Sequence, residues 1–148
     1  MILALVLATV GFFALAVFGL GAVSFFTDAD IIAVPGLGPG PGITGMLVAL
    51  VTFAAMLRVV LRRAHPSFVS AGAIALGSAL GHLIAVWVAV LIASGGAITA
   101  TAVAGDLVRG GASAVLLLAA VIAAWAGIAM RRTRSGRPQW PWEREDEE

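Results

Sequence analysis

A run of 25 consecutive residues, from Ile2 to Phe26, contains no charged side chain. As an α-helix this run would extend roughly 37 Å, which exceeds the hydrocarbon core of a bilayer, about 30 Å thick. A cleavable signal peptide is the competing interpretation. However, the run is too long for a signal sequence, no basic residue precedes it, and no convincing small-x-small cleavage site follows it. The run therefore predicts a transmembrane helix.

Three further apolar runs follow the first, each separated from the next by a short polar or glycine-rich segment. Hydrophobic residues make up 61% of the 148 residues, charged residues only 11%, and the mean hydropathy is +1.06. These values are typical of an integral membrane protein. We predict an all-α fold, an up-and-down bundle of four transmembrane helices within residues 1–130, followed by a cytoplasmic tail over residues 131–148. The predicted spans are about 2–26, 43–61, 68–94 and 107–130.

The start of the fourth span can be placed in two ways. Asp106 is suited to be its N-cap, because a carboxylate is favourable beside the positive end of a helix dipole. Gly110 and Gly111 would weaken the first helical turns, and they favour a later start near Ala112. In either case, residues 95–106 are expected to form a small and nearly uncharged loop.

The arginines are distributed unevenly among the segments that flank the spans. Seven lie near the connection between the second and third spans or directly after the fourth, whereas the other two connections contain only Arg109. The positive-inside rule therefore predicts that both termini are cytoplasmic. The absence of lysine and the richness in alanine, valine and glycine suggest a bacterial plasma membrane. The seven residues are Arg58, Arg62, Arg63, Arg131, Arg132, Arg134 and Arg137.

Small residues recur at every fourth position of the third run: Ala73, Gly77, Gly81, Ala85, Ala89 and Ala93. We call this set the small-residue row. Such a row allows another helix to approach closely in lipid, and its central Gly-x-x-x-Gly motif is moderately specific for helix packing. Ala119, Ala123 and Gly127 form a shorter row in the fourth run. We expect the third and fourth spans to pack through these rows, with an interface to another subunit as the alternative.

His82 is the only ionisable residue deep inside an apolar run, which makes it a candidate functional residue. We expect a neutral imidazole that is hydrogen-bonded to a neighbouring helix, and Thr52 lies at a comparable depth. A proton-handling or ligand-binding role is the alternative. Ser78 lies one helical turn before His82. Catalysis by this pair is disfavoured, because a nucleophilic serine needs an oxyanion hole and a base in suitable geometry, normally from another element.

Two segments outside the spans are candidates for docking a partner. Ile31 and Ile32 form part of an apolar patch in the first outer loop, where they would lie on the membrane interface or against a protein. Trp140 and Trp142 stand between basic and acidic segments of the tail. They could anchor in the lipid headgroups or serve as hot spots for a protein partner.

The sequence contains no motif for a cofactor, a metal ion or an enzymatic reaction. Cysteine is absent, which excludes disulfides, thiolate metal sites and covalent haem attachment. His65 and His82 are too far apart along one helix to ligate a single iron. No carboxylate lies within a predicted span, which disfavours proton-coupled antiport.

These observations predict a small non-enzymatic accessory subunit that packs against and stabilises a larger membrane complex, such as a transporter or a respiratory assembly. Its partners would be membrane lipids and other integral membrane subunits, not nucleic acid. The alternative is a small homo-oligomeric channel or transporter in which His82 lines a path at the oligomer axis.

Overall fold

A computed structural model describes residues 1–28, 38–63 and 66–135 of the chain. In this part of the chain all regular secondary structure is α-helical. The five helices are α1 (Ile2–Thr27), α2 (Gly40–Leu61), α3 (Val69–Ser94), α4 (Ala97–Arg109) and α5 (Ala112–Ser135).

Four of these helices, α1, α2, α3 and α5, are long and apolar enough to cross a membrane. Their surfaces carry many exposed large hydrophobic side chains, among them Phe18, which is 77% exposed, and Ile92, which is 78% exposed. Such surfaces are unfavourable in water and suited to lipid or to another membrane protein. For the described residues, the prediction of an all-α fold with four helices long and apolar enough to span a membrane is thus confirmed.

Helix α4 is the main departure from the sequence-based expectation of a loop over residues 95–106. α3 is capped at its end by Gly95, whose φ of 65° is favourable for glycine. The chain then turns into α4, a helix of 13 residues. Asp106 lies inside α4, so its assignment as an N-cap was wrong. The predicted start of a span at residue 107 was also wrong. The next helix begins at Ala112, after Gly111 with its φ of 84°.

α4 folds back along α3 in the antiparallel direction. The indole Nε1 of Trp87 donates a hydrogen bond of 3.2 Å to the hydroxyl of Thr101. Further along both helices, Leu83 and Ala104 line the same small cavity. Ala100, Val103 and Leu107, spaced three and four residues apart, bury one face of α4 in a cluster with Val86 and Val90 of α3.

The long helices pack as two close antiparallel pairs, α2 with α3 and α1 with α5. In the second pair, Gly19 of α1 lies against Val115, and Gly127 of α5 lies against Ala8. α1 and α2 meet at a stacked pair of buried rings, Phe12 and Phe53, whose centroids are 4.6 Å apart. Much of the surrounding core consists of alanine, which allows the helix backbones to approach closely.

Candidate helix-packing face and buried histidine

Gly77 and Gly81, the two glycines of the small-residue row, face α2. A Cβ atom placed on Gly77 would lie 2.5 Å from the Sδ atom of Met56, and one on Gly81 would lie 3.1 Å from the Oγ1 atom of Thr52. The expectation that this row packs against the fourth span was therefore wrong. The shorter row of α5 contacts α1 through Gly127 instead, although α3 and α5 also touch elsewhere.

The outer members of the row do not share this tight contact. Ala73 and Ala93 are exposed, and Ala85 and Ala89 are half-buried. From Gly81 towards the end of α3, the row forms one wall of an open groove between α2 and α3. We call it the upper groove; its volume is about 720 Å³.

The walls of the upper groove are almost wholly apolar. The polar exception on α2 is Thr44, whose hydroxyl donates a 3.0 Å hydrogen bond to the carbonyl oxygen of Gly40. The groove therefore offers little to a polar ligand, and its shape and surface suit an apolar chain or helix. Its lining residues are Gly40, Pro41, Thr44, Val48, Gly81, Ile84, Ala85, Val88, Ala89, Ile92 and Ala93.

His82 is buried within the chain, with only 5% of its surface exposed. Its imidazole faces Gly45 of α2, where a Cβ atom would lie 3.0 Å from both Cδ2 and Nε2 of the ring. The Nδ1 atom has no hydrogen-bond partner among the described residues. The predicted partner, Thr52, lies against Gly81 instead and forms no hydrogen bond with Nδ1.

Ser78 is fully buried on the same helix, one turn before His82. Its hydroxyl donates a hydrogen bond of 2.7 Å to the carbonyl oxygen of Ile74. A hydroxyl that is bonded to the preceding turn of its own helix is a common arrangement for serine in apolar helices. The proton is directed to the backbone and not to the imidazole, so the two side chains do not form a nucleophile–base pair.

Metal-binding side chains do not cluster in the described residues: no group of three or more His, Cys, Asp or Glu is close enough to hold an ion. The predicted docking residues Ile31, Ile32, Trp140 and Trp142 lie outside the described residues, as does His65.

Sequence reasoning missed Gly45, although a signal for it was present. Gly45 and Ala49 are four residues apart on α2, and both are buried. This small-x-x-x-small pattern on α2 is the counterpart of the row on α3. The two faces together create the close contact in which His82 is enclosed.

Comparison with known proteins gives a family but no activity. No curated protein and no solved structure matches the chain. A family model described as a family of unknown function, DUF6121, matches residues 1–148. Since the match spans the whole sequence, the chain belongs to this family.

Proposed function

We propose that this protein is a small non-enzymatic accessory subunit of a larger membrane complex, and that it holds a transmembrane helix of a partner in the upper groove. The observation that carries this proposal is the open, apolar groove between α2 and α3. A groove walled by small side chains allows a second backbone to approach closely, and such contacts drive helix association in lipid.

The chemistry of the groove favours a helix over a polar substrate. Ile84, Val88 and Ile92 form a ridge along one side, and Ala85 and Ala89 form a shallow floor beside it. Large side chains next to small ones offer the ridges and grooves into which the side chains of a second helix can pack.

The proposed orientation is an up-and-down bundle with both termini in the cytoplasm of a bacterium. The guanidinium of Arg132 lies 4.9 Å from the ring centre of Phe68, the residue directly before α3. Arg132, near the end of α5, therefore lies close to the α2–α3 connection, which carries Arg62 and Arg63. Their position at one end of the helices supports the positive-inside assignment.

The position of His82 bears on the alternative function, a homo-oligomeric channel or transporter. That function requires the imidazole to line a path between subunits. The side chain is instead enclosed between α2 and α3 of one chain. The unpartnered Nδ1 atom is the observation in favour of a role for His82 in transport, because a buried nitrogen without a partner is costly.

The test is the composition of the complex after mild detergent extraction from the native membrane, measured by native mass spectrometry. Ala89→Leu would narrow the groove at its floor, whereas Ala55→Leu adds the same bulk at an exposed position of α2 outside it. We expect unrelated membrane subunits in stoichiometric amount with the wild type and with Ala55→Leu, and their loss with Ala89→Leu. A homogeneous homo-oligomer alone, or equal retention by both variants, would contradict the proposal.

A further inference from the structure

A second groove lies at the opposite end of the α2–α3 pair, and it differs from the first in carrying charge. We call it the basic groove. Its volume is about 340 Å³. Five of its lining side chains are apolar, and the other two, Arg63 and Ser70, bring polar groups to one end. The lining residues are Met56, Val59, Val60, Arg63, Ser70, Ala73 and Ile74.

Two further arginines, Arg58 and Arg62, are exposed near the same end of α2. Within the part of the chain that the structure describes, the acidic residues are Asp28, at the end of α1, and Asp106 in α4. Asp28 lies at the opposite end of the long helices, and Asp106 follows Ala104, which lies beside Leu83 near the middle of α3. Within the described residues, therefore, no ion pair neutralises Arg63 of the basic groove or the neighbouring Arg58 and Arg62.

We propose that the basic groove binds an anionic phospholipid. The guanidinium of Arg63 and the hydroxyl of Ser70 would donate hydrogen bonds to the phosphate oxygens. An acyl chain would lie along Met56, Ala73 and Ile74. Basic pockets between transmembrane helices suit anionic headgroups, and Arg can form paired hydrogen bonds with a phosphate.

The apolar walls distinguish a phospholipid from a soluble phosphate as the ligand. A free phosphate would engage only the polar end and would leave the apolar walls without a ligand. A phospholipid satisfies both parts of the site at once. This inference requires only that the four long helices lie in a bilayer; it is independent of any partner in the upper groove.

The experiment is native mass spectrometry of the full-length chain in detergent, with phosphatidylglycerol or phosphatidylcholine added at equal concentration. We expect the wild type to retain phosphatidylglycerol preferentially. Arg63→Gln should reduce this preference about fivefold, the contribution of one basic residue near an anionic surface. Arg62→Gln, which removes a neighbouring charge outside the groove, should have a smaller effect.

A second pair of variants tests the apolar walls. Ala73→Leu would obstruct the groove and should lower the retention of both lipids, whereas Ala55→Leu should leave retention unchanged. Inorganic phosphate at the same concentration should not displace the lipid. The proposal is overturned if the wild type retains both lipids equally, if Arg62→Gln and Arg63→Gln have equal effects, if Ala73→Leu has no effect, or if inorganic phosphate competes fully.

Discussion

Gly45 provides the sharpest test of the packing between α2 and α3. In a Gly45→Ala variant the new Cβ atom would lie 2.5 Å from Cγ2 of Val86 and 3.0 Å from two ring atoms of His82. Both neighbours are buried, so neither can move aside without displacing other core atoms. Overpacking of this kind typically costs about 1–3 kcal/mol.

A matched control is available because Gly72 on α3 has open space where a Cβ atom would be. Gly72→Ala should be neutral or stabilising, since alanine is favoured over glycine within a helix by up to about 1 kcal/mol. We expect the free energy of unfolding, measured by titration with a denaturing detergent, to fall for Gly45→Ala and not for Gly72→Ala.

The origin of the loss can be assigned with a second substitution. Val86→Ala removes the Cγ2 atom that the new methyl group would meet. The double variant Gly45→Ala/Val86→Ala should therefore be more stable than the sum of the two single losses predicts, by at least about 0.5 kcal/mol. If Gly45→Ala is as stable as Gly72→Ala, or if the two substitutions act additively, the close contact described for α2 and α3 is incorrect.

Three other predictions concern the histidine, α4 and the orientation. His82→Leu should retain or slightly raise the free energy of unfolding, because an unpaired buried nitrogen costs about 1–3 kcal/mol; a clear loss in detergent titration would indicate that Nδ1 has a partner. Trp87→Phe removes the donor to Thr101, so we expect faster amide hydrogen exchange in α4 and little change in α1, measured by mass spectrometry. If α4 exchanges at the same rate in the wild type and the variant, the hydrogen bond does not restrain α4. Since the chain has no cysteine, Arg62→Cys and Ile98→Cys can each be labelled alone in intact cells; a membrane-impermeant maleimide should modify only the second, and the reverse pattern would invert the proposed topology.

The sequence was sufficient to predict the long helices because each is encoded by its own composition. An uncharged run such as Ile2–Phe26 is sufficient for a membrane span whatever lies beside it. The segment that became α4 carries no comparable local signal. Its alanines, threonines and paired glycines are compatible with a loop, and the helix is stabilised by the apolar face of α3 near Val86 and Val90. That face is a tertiary feature and cannot be recognised from the local sequence.

The sequence pattern identified the small-residue row but could not predict which helix packs against it. By residue spacing alone, the row on α3 could pack equally well against the row on α5 or against α2. The short connection between α2 and α3 was the unused signal, because consecutive helices usually pack as neighbours. The predicted hydrogen bond between Thr52 and His82 is absent for a related reason. Adjacent residues point about 100° apart on a helix, and Thr52 faces Gly81.

The return of α4 along α3 has a consequence for the surrounding bilayer. Ala104 lies beside Leu83, roughly 16 Å before the end of α3 by helical rise, and the charged residues Asp106 and Arg109 follow it. On the α4 side, the first charged side chains therefore lie closer to the middle of the bundle than the end of α3 does. Lipids next to α4 must thin or tilt to follow this step, at a cost of a fraction of a kcal/mol per ångström. A protein whose apolar surface is shorter on one side is stabilised by neighbouring proteins that cover that side, here α4, or by membranes that are locally thin.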